Sequence, residues 1–249
     1  ACLVGSEMCI RDRYYLVLCA YMLGIVSVEE AAATALLFVW VIFVAEVLTK
    51  KLYGYMAERD VGHNVAVYYN RKIIHILTGG LVALLVPYIF GTPVFPFVMA
   101  FVLAIFLYVP HKKGKLMHWF QTEENAYEVS FCVMWGIIIT LGWIVSSGNF
   151  WFGVLPVIFM SVGDAVTGIV RNMLYKKRTK SWWGNLAMAS FSIPVGATVL
   201  GIAGAIAGIA ASLIEHFESN PIDDNITVPL LSFLILVSAK FLAPWLLPS

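Results

Sequence analysis

Charged residues are scarce in this chain of 249 residues: Asp, Glu, Lys and Arg make up 12% of it, about half of the share that is usual in soluble domains. Hydrophobic residues make up 61%, and the mean hydropathy is +0.86. Apolar stretches of about 20 residues, the length that crosses a bilayer core, recur from end to end. This composition excludes an ordinary soluble protein and leaves no room for a separate soluble domain.

Several familiar signals are also missing. The four cysteines, Cys2, Cys9, Cys19 and Cys132, have neither CxxC nor zinc-finger spacing, so neither a disulfide framework nor a zinc site is expected. The chain has no polyanion-binding tail, and its net charge is only +1, so no nucleic-acid partner is expected. The absence of a GxxxxGK[ST] motif and of a kinase-type glycine-rich loop excludes the soluble nucleotide-binding folds that carry them.

The apolar runs predict an all-α fold, a polytopic transmembrane bundle of about nine helices. The predicted spans are 14–28, 31–49, 73–90, 93–110, 129–146, 150–170, 186–200, 202–217 and 228–247. The region 186–217 could be one long helix, but two crossings are preferred because 32 residues are too many for one ordinary span. Residues 1–13 resemble translated sequencing-adapter sequence and are expected to be non-native or disordered, which leaves 14–249 as one integral membrane domain.

The loop charges predict the topology. Lys and Arg cluster in every second connection, within 50–72, 112–115 and 171–180, whereas the intervening connections contain none. Since positive residues mark the cytoplasmic ends of spans, these basic loops are expected to share the cytoplasmic face. If 186–217 crosses twice, the acidic connection 215–225 joins them. If it crosses once, that connection lies on the outside.

Asp164 is an ionisable residue inside the apolar run 150–170. A centred Asp costs at least roughly 2.5–3.5 kcal/mol in a bilayer, so such a residue faces a protein interior, pairs with a cation or does chemistry. The segment 171–180 follows directly and contains five cations and no acid. A carboxylate beside a basic segment suits a metal-bound polyphosphate, and a structural ion pair is the alternative.

Phosphoryl transfer requires cations for the phosphates, oxygen ligands for Mg²⁺ and a means of placing the acceptor hydroxyl. Candidates for all three occur in the polar clusters assigned to one face. Glu123, Glu124 and Glu128 are interpreted as solvated loop acids, with a metal role as the alternative, and Asp223 is interpreted as an exposed acid. The clusters are Asn70, Arg71, Lys72 and His75; Glu123, Glu124 and Glu128; Gly163 and Asp164 with 171–180; and Asp223, Asp224 and Asn225.

Four ordered motifs within about residues 70–230 resemble the CTP-dependent lipid-alcohol kinases, the family of dolichol (polyprenol) kinase, phytol kinase and CTP-dependent diacylglycerol kinase. Many relatives carry Gly seven residues after the motif Asp, where this chain has Arg171, although Gly168 could allow the same close approach. The motifs are Arg71-Lys72-x-x-His75, Gly163-Asp164-Ala165, Lys180-Ser181-x-x-Gly184-x-x-Ala187-Met188, and Glu215 followed by Asp224-Asn225-x-x-Val228-Pro229.

The resemblance implies a membrane kinase domain that uses CTP as co-substrate and Mg²⁺ as cofactor. Its acceptor would be an isoprenoid alcohol in the lipid bilayer, dolichol or another polyprenol first, phytol or geranylgeraniol next. The implied site lies on the cytoplasmic face of the plasma membrane in a prokaryote or of the endoplasmic reticulum in a eukaryote. The implied residues are Asp164 and Lys180 for catalysis; Arg71, Lys72, Lys180, Ser181 and Gly184 for the nucleotide; Asp164 and Asp224 for the metal; and His75, Gly163 and Asn225 in support.

Two alternatives to this kinase stay open at the level of sequence. A CDP-lipid synthase of the phosphatidate cytidylyltransferase type also uses CTP, but its substrate attacks the α-phosphate and pyrophosphate leaves. A secondary transporter would use the intramembrane carboxylate as part of an ion path. The residues of an apolar pocket do not specify which lipid it binds, so prenol and diacylglycerol are both possible acceptors.

Overall fold

The computed structural model describes residues 27–176, 179–217 and 223–248. Within these ranges the chain is mainly helical, and seven of its helices are long enough and apolar enough to cross a membrane. The prediction of an all-α integral membrane protein is confirmed to this extent. The helices are α1 Val28–Ala57, α2 His63–Ile89, α3 Val94–Lys113, α4 Tyr127–Val145, α5 Trp151–Tyr175, α6 Trp182–Ile214 and α7 Asp224–Leu242, followed by a short 3₁₀ turn, Pro244–Leu246.

The predicted count of about nine helices is not confirmed. The first predicted span, 14–28, lies outside the described residues except for its last two, and so does the segment 1–13. Local signals set the first described boundary, since Ser27 Oγ accepts a hydrogen bond from the Glu30 backbone N–H at 3.0 Å and caps α1. Gly114 ends α3 in the left-handed conformation, with φ at 64°.

Helix α6 is folded back on itself. Its backbone leaves the helical conformation at Leu200 and Gly201, where φ reaches 62° and ψ −145°. Asn185 Nδ2 donates to the Ser212 carbonyl at 2.6 Å although 27 residues separate them, and a straight helix would place these two residues about 40 Å apart. The two arms therefore run antiparallel, and the reversal falls where the sequence predicts a break between 186–200 and 202–217.

Small residues let the two arms of this hairpin approach closely. A Cβ on Gly196 would overlap the carbonyl of Gly204, so both positions require glycine for the contact. At the tip, a Cβ on Gly201 would lie 3.1 Å from the Leu246 carbonyl, beyond the end of α7. The tip therefore lies at the far end of the bundle, and the second arm returns the chain to the end where α6 begins.

Helix α5 is the central helix of the bundle. Of its most apolar segment 78% is buried, compared with 17% for α1. A helix that is apolar on all sides can be surrounded by others without exposing polar groups. Asp164 therefore projects into the protein interior and does not face lipid.

Two π-helical turns, His75–Gly80 in α2 and Phe159–Gly163 in α5, lie next to the polar end of the bundle. They pack against each other, since a Cβ on Gly80 would overlap the side chain of Val162. Asp164 directly follows the second turn. Such insertions are frequent at functional sites because they re-aim the side chains beside them.

Candidate functional site

A polar cavity of about 940 Å³ lies at one end of the bundle, lined by α2, the connection after α3, and the adjoining ends of α4 to α7. From the acidic connection and the start of α7, Glu215, Asp224 and Asn225 line it, together with Arg171 and Lys180 of the basic segment. Lys180 Nζ lies 3.0 Å from Glu215 Oε1, and Asn225 Nδ2 donates to the Tyr127 carbonyl at 3.1 Å. The predicted polar clusters therefore share one end of the molecule, as expected if 186–217 reverses direction.

Asp164 and Lys72 bond to each other at the floor of this cavity. Lys72 Nζ donates to Asp164 Oδ2 at 2.6 Å, and His75 Nδ1 lies 3.3 Å from the same oxygen. Lys72 and His75 are one turn apart on α2, so both reach one point on α5. Lys72, which is predicted to bind phosphate, and Asp164, which is predicted to bind the metal, are thus hydrogen-bonded to each other.

Gly168 explains how α2 comes so near to α5. A Cβ at this position would overlap the Lys72 side chain and the hydroxyl of Tyr68. The absence of a side chain one turn after Asp164 therefore makes room for the lysine. This is the close approach that the sequence allowed at Gly168 in place of the glycine that many kinase relatives have at the position of Arg171.

Arg171 and Glu215 form the most buried ion pair among the described residues. Arg171 Nη1 and Nη2 donate to Glu215 Oε1 and Oε2 at 2.7 and 2.8 Å. Asn185 adds a bond to Oε2 at 3.1 Å, and Lys180 adds one to Oε1 at 3.0 Å. Since a carboxylate has about four lone-pair sites, the acceptor capacity of Glu215 is filled by protein groups.

Lys180 joins the two ends of the α6 hairpin to α7. Besides the Glu215 carboxylate it contacts the Glu215 carbonyl, at 2.9 Å, and Asp224 Oδ2, at 3.4 Å. Asp224 is the first residue of α7, where the partial positive charge of a helix N-terminus favours a carboxylate. The Lys180 side chain is 28% exposed, so it reaches the cavity and is not enclosed.

Three carboxylates converge on the cavity and could hold a divalent cation. Asp164, Glu215 and Asp224 each offer an oxygen within 4.8 Å of the other two. Mg²⁺ is usually held by one or two carboxylates together with water and substrate phosphates. Because the oxygens of Glu215 already accept four hydrogen bonds, Asp164 and Asp224, the two predicted metal ligands, fit this role best.

Arg71 lines the cavity and also fixes its roof. Its Nε donates to the Phe120 carbonyl at 2.7 Å, and its Nη2 donates to Thr122 Oγ1 at 3.2 Å. The neighbouring Asn70 donates to the Trp119 carbonyl at 2.8 Å. The start of the first motif therefore holds the connection after α3 over the cavity.

The other predicted site residues lie around this centre. Ser181 and Gly184 lie behind the cavity wall, where the Ser181 carbonyl accepts from Arg171 Nε at 3.0 Å and a Cβ on Gly184 would overlap the same guanidinium group. Gly163 packs against Met188 on α6. Asn225 lines the cavity beside Asp224. These contacts give Ser181 and Gly184 a role in placing Arg171, while their predicted contact with a nucleotide stays a prediction.

Two acids expected at the surface are buried instead. Glu128, interpreted as a solvated loop acid, is 9% exposed, and Asp223, expected to be exposed, is 2% exposed. Glu128 accepts from Gln121 Nε2 at 2.8 Å and pairs with Arg71 at 3.5 Å, while Asp223 accepts from the Ser130 hydroxyl. Both expectations are wrong because the connections fold back onto the helix ends, where buried carboxylates require hydrogen-bond donors.

The sequence interpretation did not assign the pairing of Arg171 with Glu215. Glu215 stood in a motif without a role, and Arg171 was treated as a departure from the kinase pattern. A usable signal was present, since an arginine directly after an apolar run requires an acid nearby. Comparison with known proteins identifies no relative: no family model, curated protein or solved structure matches the chain.

Proposed function

We propose that the protein is a membrane kinase that transfers the γ-phosphate of CTP to the hydroxyl of a lipid alcohol, with dolichol or another polyprenol as the first candidate. One observation carries the proposal. Asp164 and Asp224 open on the same cavity as the cations Arg71, Lys72 and Lys180. CTP as the donor and the isoprenoid acceptor come from the motif resemblance alone.

This set of groups can bind a nucleoside triphosphate together with its metal ion. A volume of about 940 Å³ lies within the range of about 300–1,000 Å³ that is usual for small-molecule sites. Three cations in the cavity lining would offset phosphate charge, and a magnesium ion held by Asp164 and Asp224 would neutralise further charge as it develops. In the reaction the acceptor oxygen bonds to the γ-phosphorus, the bond to the β–γ bridging oxygen breaks, CDP leaves and the hydroxyl proton is released.

The bond between Lys72 and Asp164 gives this proposal a binding step. When phosphates enter the cavity, Lys72 exchanges its carboxylate partner for a phosphate oxygen. In the structure Asp164 Oδ2 accepts a hydrogen bond from Lys72 at 2.6 Å. The exchange frees this oxygen to act as a metal ligand. Nucleotide and metal would then bind cooperatively. The nucleotide takes Lys72 away from Asp164, which favours metal binding, and the metal takes Asp164 away from Lys72, which favours phosphate binding.

The position of the cavity suits a substrate pair of opposite solubility. It lies at the ends of helices that are apolar over the rest of their length. An isoprenoid alcohol dissolves in the bilayer while its hydroxyl reaches the head-group region, and CTP arrives from water. The basic segments at this end support a location on the cytoplasmic face, where positive residues accumulate.

The test is a product analysis with purified protein in lipid nanodiscs, Mg²⁺ and CTP labelled at the α- or γ-phosphate. With polyprenol, phytol or dioleoylglycerol as acceptor, we expect γ-label in the lipid, CDP as the second product, and much weaker transfer from ATP. Asp164→Asn is the negative control.

Label from the γ-position in pyrophosphate, with α-label in the lipid, would instead identify a CDP-lipid synthase. Efficient transfer from ATP would refute the assignment of the donor. Absence of any turnover with all three acceptors would contradict the kinase and leave the transporter alternative.

A further inference from the structure

A second, narrower cavity of about 70 Å³ lies between α1, α2, α3 and α4, below the polar site. Its walls are almost entirely apolar, with Val41, Val82, Met99, Leu103 and Trp135 among them. The exceptions are concentrated at one end. This cavity is called the apolar cleft below.

The apolar cleft adjoins the polar cavity. Arg71, His75 and Glu128 line both. His75 stands at the junction: its Nδ1 is 3.3 Å from Asp164 Oδ2, and its ring stacks on Phe131 of the cleft wall with 4.2 Å between ring centroids. A molecule lying in the cleft would therefore present its end to the carboxylates of the site.

The cleft is elongated and small. Along α2 the lining runs from Arg71 to Val82, a rise of about 16 Å, or about half of a bilayer core. Its volume of about 70 Å³, compared with 940 Å³ for the polar cavity, holds only the first few carbons of a lipid next to its hydroxyl. The ester groups that lie at this place in a diacylglycerol would find almost no hydrogen-bond partners on its apolar walls. Phe106 of the lining is 42% exposed, so the cleft reaches the outer surface of the bundle.

We infer that the acceptor is a single-chain lipid alcohol whose first carbons lie in the apolar cleft and whose hydroxyl lies at His75, while the rest of its tail leaves through the open side of the cleft. This inference rests on the proposed kinase function and makes it more specific, because it excludes diacylglycerol as the acceptor. The hydroxyl reaches the polar cavity from the bilayer side, while the nucleotide occupies the side that opens to water. The two substrates thus enter by different routes and meet next to His75 and Asp164.

The experiment measures binding and does not require turnover. Farnesol with a diazirine near its hydroxyl, and dioleoylglycerol with the same group on one chain near the ester, are cross-linked to the protein in nanodiscs without nucleotide. Labelled residues are then located by mass spectrometry. We expect farnesol to label α2, α3 or α4 at cleft-lining residues, and the diacylglycerol to label only the outer surface.

A matched pair of variants on α3 sharpens the result. Leu103→Trp fills the cleft at a position that is 8% exposed, whereas Ile105→Trp adds the same ring at a position that is 63% exposed. We expect Leu103→Trp to lower cleft labelling by about tenfold, because the ring displaces several buried carbons of the ligand. Ile105→Trp should leave it unchanged.

Labelling of the cleft by both probes, or labelling of wild-type protein only outside the cleft, would overturn the inference. Unchanged cleft labelling in folded Leu103→Trp would overturn it as well. The wild-type map gives an answer even if that variant does not fold. Since no phosphoryl transfer is measured, cleft labelling by farnesol in a protein that fails the product analysis would refute the kinase and retain the lipid site.

Discussion

Two buried carboxylates at the same end of the molecule differ in how much of their bonding capacity the protein uses. Glu215 is 1% exposed and accepts four hydrogen bonds, from Arg171, Lys180 and Asn185. Asp164 is 5% exposed, is held through one oxygen and lines the cavity. Glu215 therefore has the contacts of a structural anchor, and Asp164 keeps capacity for a ligand.

The comparison separates burial from function. Both acids lie beside cations at the polar end of the bundle, and both belong to motifs of the kinase resemblance. They differ in how many of their lone pairs accept hydrogen bonds from the protein. A carboxylate whose lone pairs are all used must lose a hydrogen bond before it can bind a metal. The following substitutions are arranged to test this distinction.

The largest effect is expected for Glu215→Gln. The amide cannot accept the bidentate contact of Arg171, so a buried guanidinium loses its counter-charge and the free energy of unfolding falls by about 3–5 kcal/mol. Thermal unfolding in detergent measures it. The control is Glu58→Gln at an exposed position, which should leave stability unchanged. A stable Glu215→Gln protein with only reduced turnover would reverse the assignment and make Glu215 a metal ligand.

Asp164→Asn is expected to act on turnover instead. Asn keeps the shape and can still accept a hydrogen bond from Lys72, but it lacks the charge that holds a cation. CTP-dependent turnover should fall by about 10²–10³-fold, the size of effect seen when one electrostatic contact to a reacting group is removed. Yield of folded protein should fall less than for Glu215→Gln, because Lys72 loses its counter-charge but lines the cavity and can reach water there. Asp60→Asn is the exposed control. Activity lost only in proportion to folded protein would indicate a structural ion pair.

Lys180→Ala should give a smaller loss of the same kind. This lysine is 28% exposed, so its removal costs little stability, while the lost charge-assisted contact lowers turnover by about 10–100-fold. Initial rates over a range of CTP concentrations measure the effect, and Lys51→Ala is the control on the exposed face of α1. A thermal stability loss as large as that of Glu215→Gln would place Lys180 with the structural anchor.

The smallest effect is expected for Gly168→Ala. The added methyl group meets Lys72 and Tyr68, and because both side chains can shift, the cost is expected near the lower end of the usual range, about 1 kcal/mol. The matched control is Gly54→Ala, where a Cβ meets nothing within 4 Å and helix propensity alone should stabilise the protein. Equal stability changes at the two positions would show that the contact between α2 and α5 is not tight.

The sequence predicted the features that depend on local pattern. The apolar runs predicted the described helices. The glycines after Leu200 predicted the reversal of α6, because glycine adopts the positive φ that ends a helix without steric cost. Asp164 was identified from the expense of a charge in an apolar segment. Each of these signals lies within about one helix length of the residue that it concerns.

The features that the sequence did not predict depend on contacts between distant segments. Glu128 is buried because Arg71, 57 residues earlier, holds the connection above it. The pairing of Arg171 with Glu215 spans 44 residues and forms only when the hairpin closes. The π-helical turns at His75–Gly80 and Phe159–Gly163 depend on each other's packing. No single helix pattern contains this information.

The hairpin of α6 has a consequence for how the chain enters the membrane. Its second arm, 202–214, is about 20 Å long, short of the roughly 30 Å of a bilayer core. This arm is a poor candidate for independent insertion, whereas the two arms together form one unit whose backbones satisfy each other's close contacts. Insertion of the hairpin brings Glu215 to the membrane surface with Asn185 and Lys180 already beside it. The contacts of Glu215 with Asn185 and Lys180 therefore depend on insertion of both arms of α6 and involve no residue of α7.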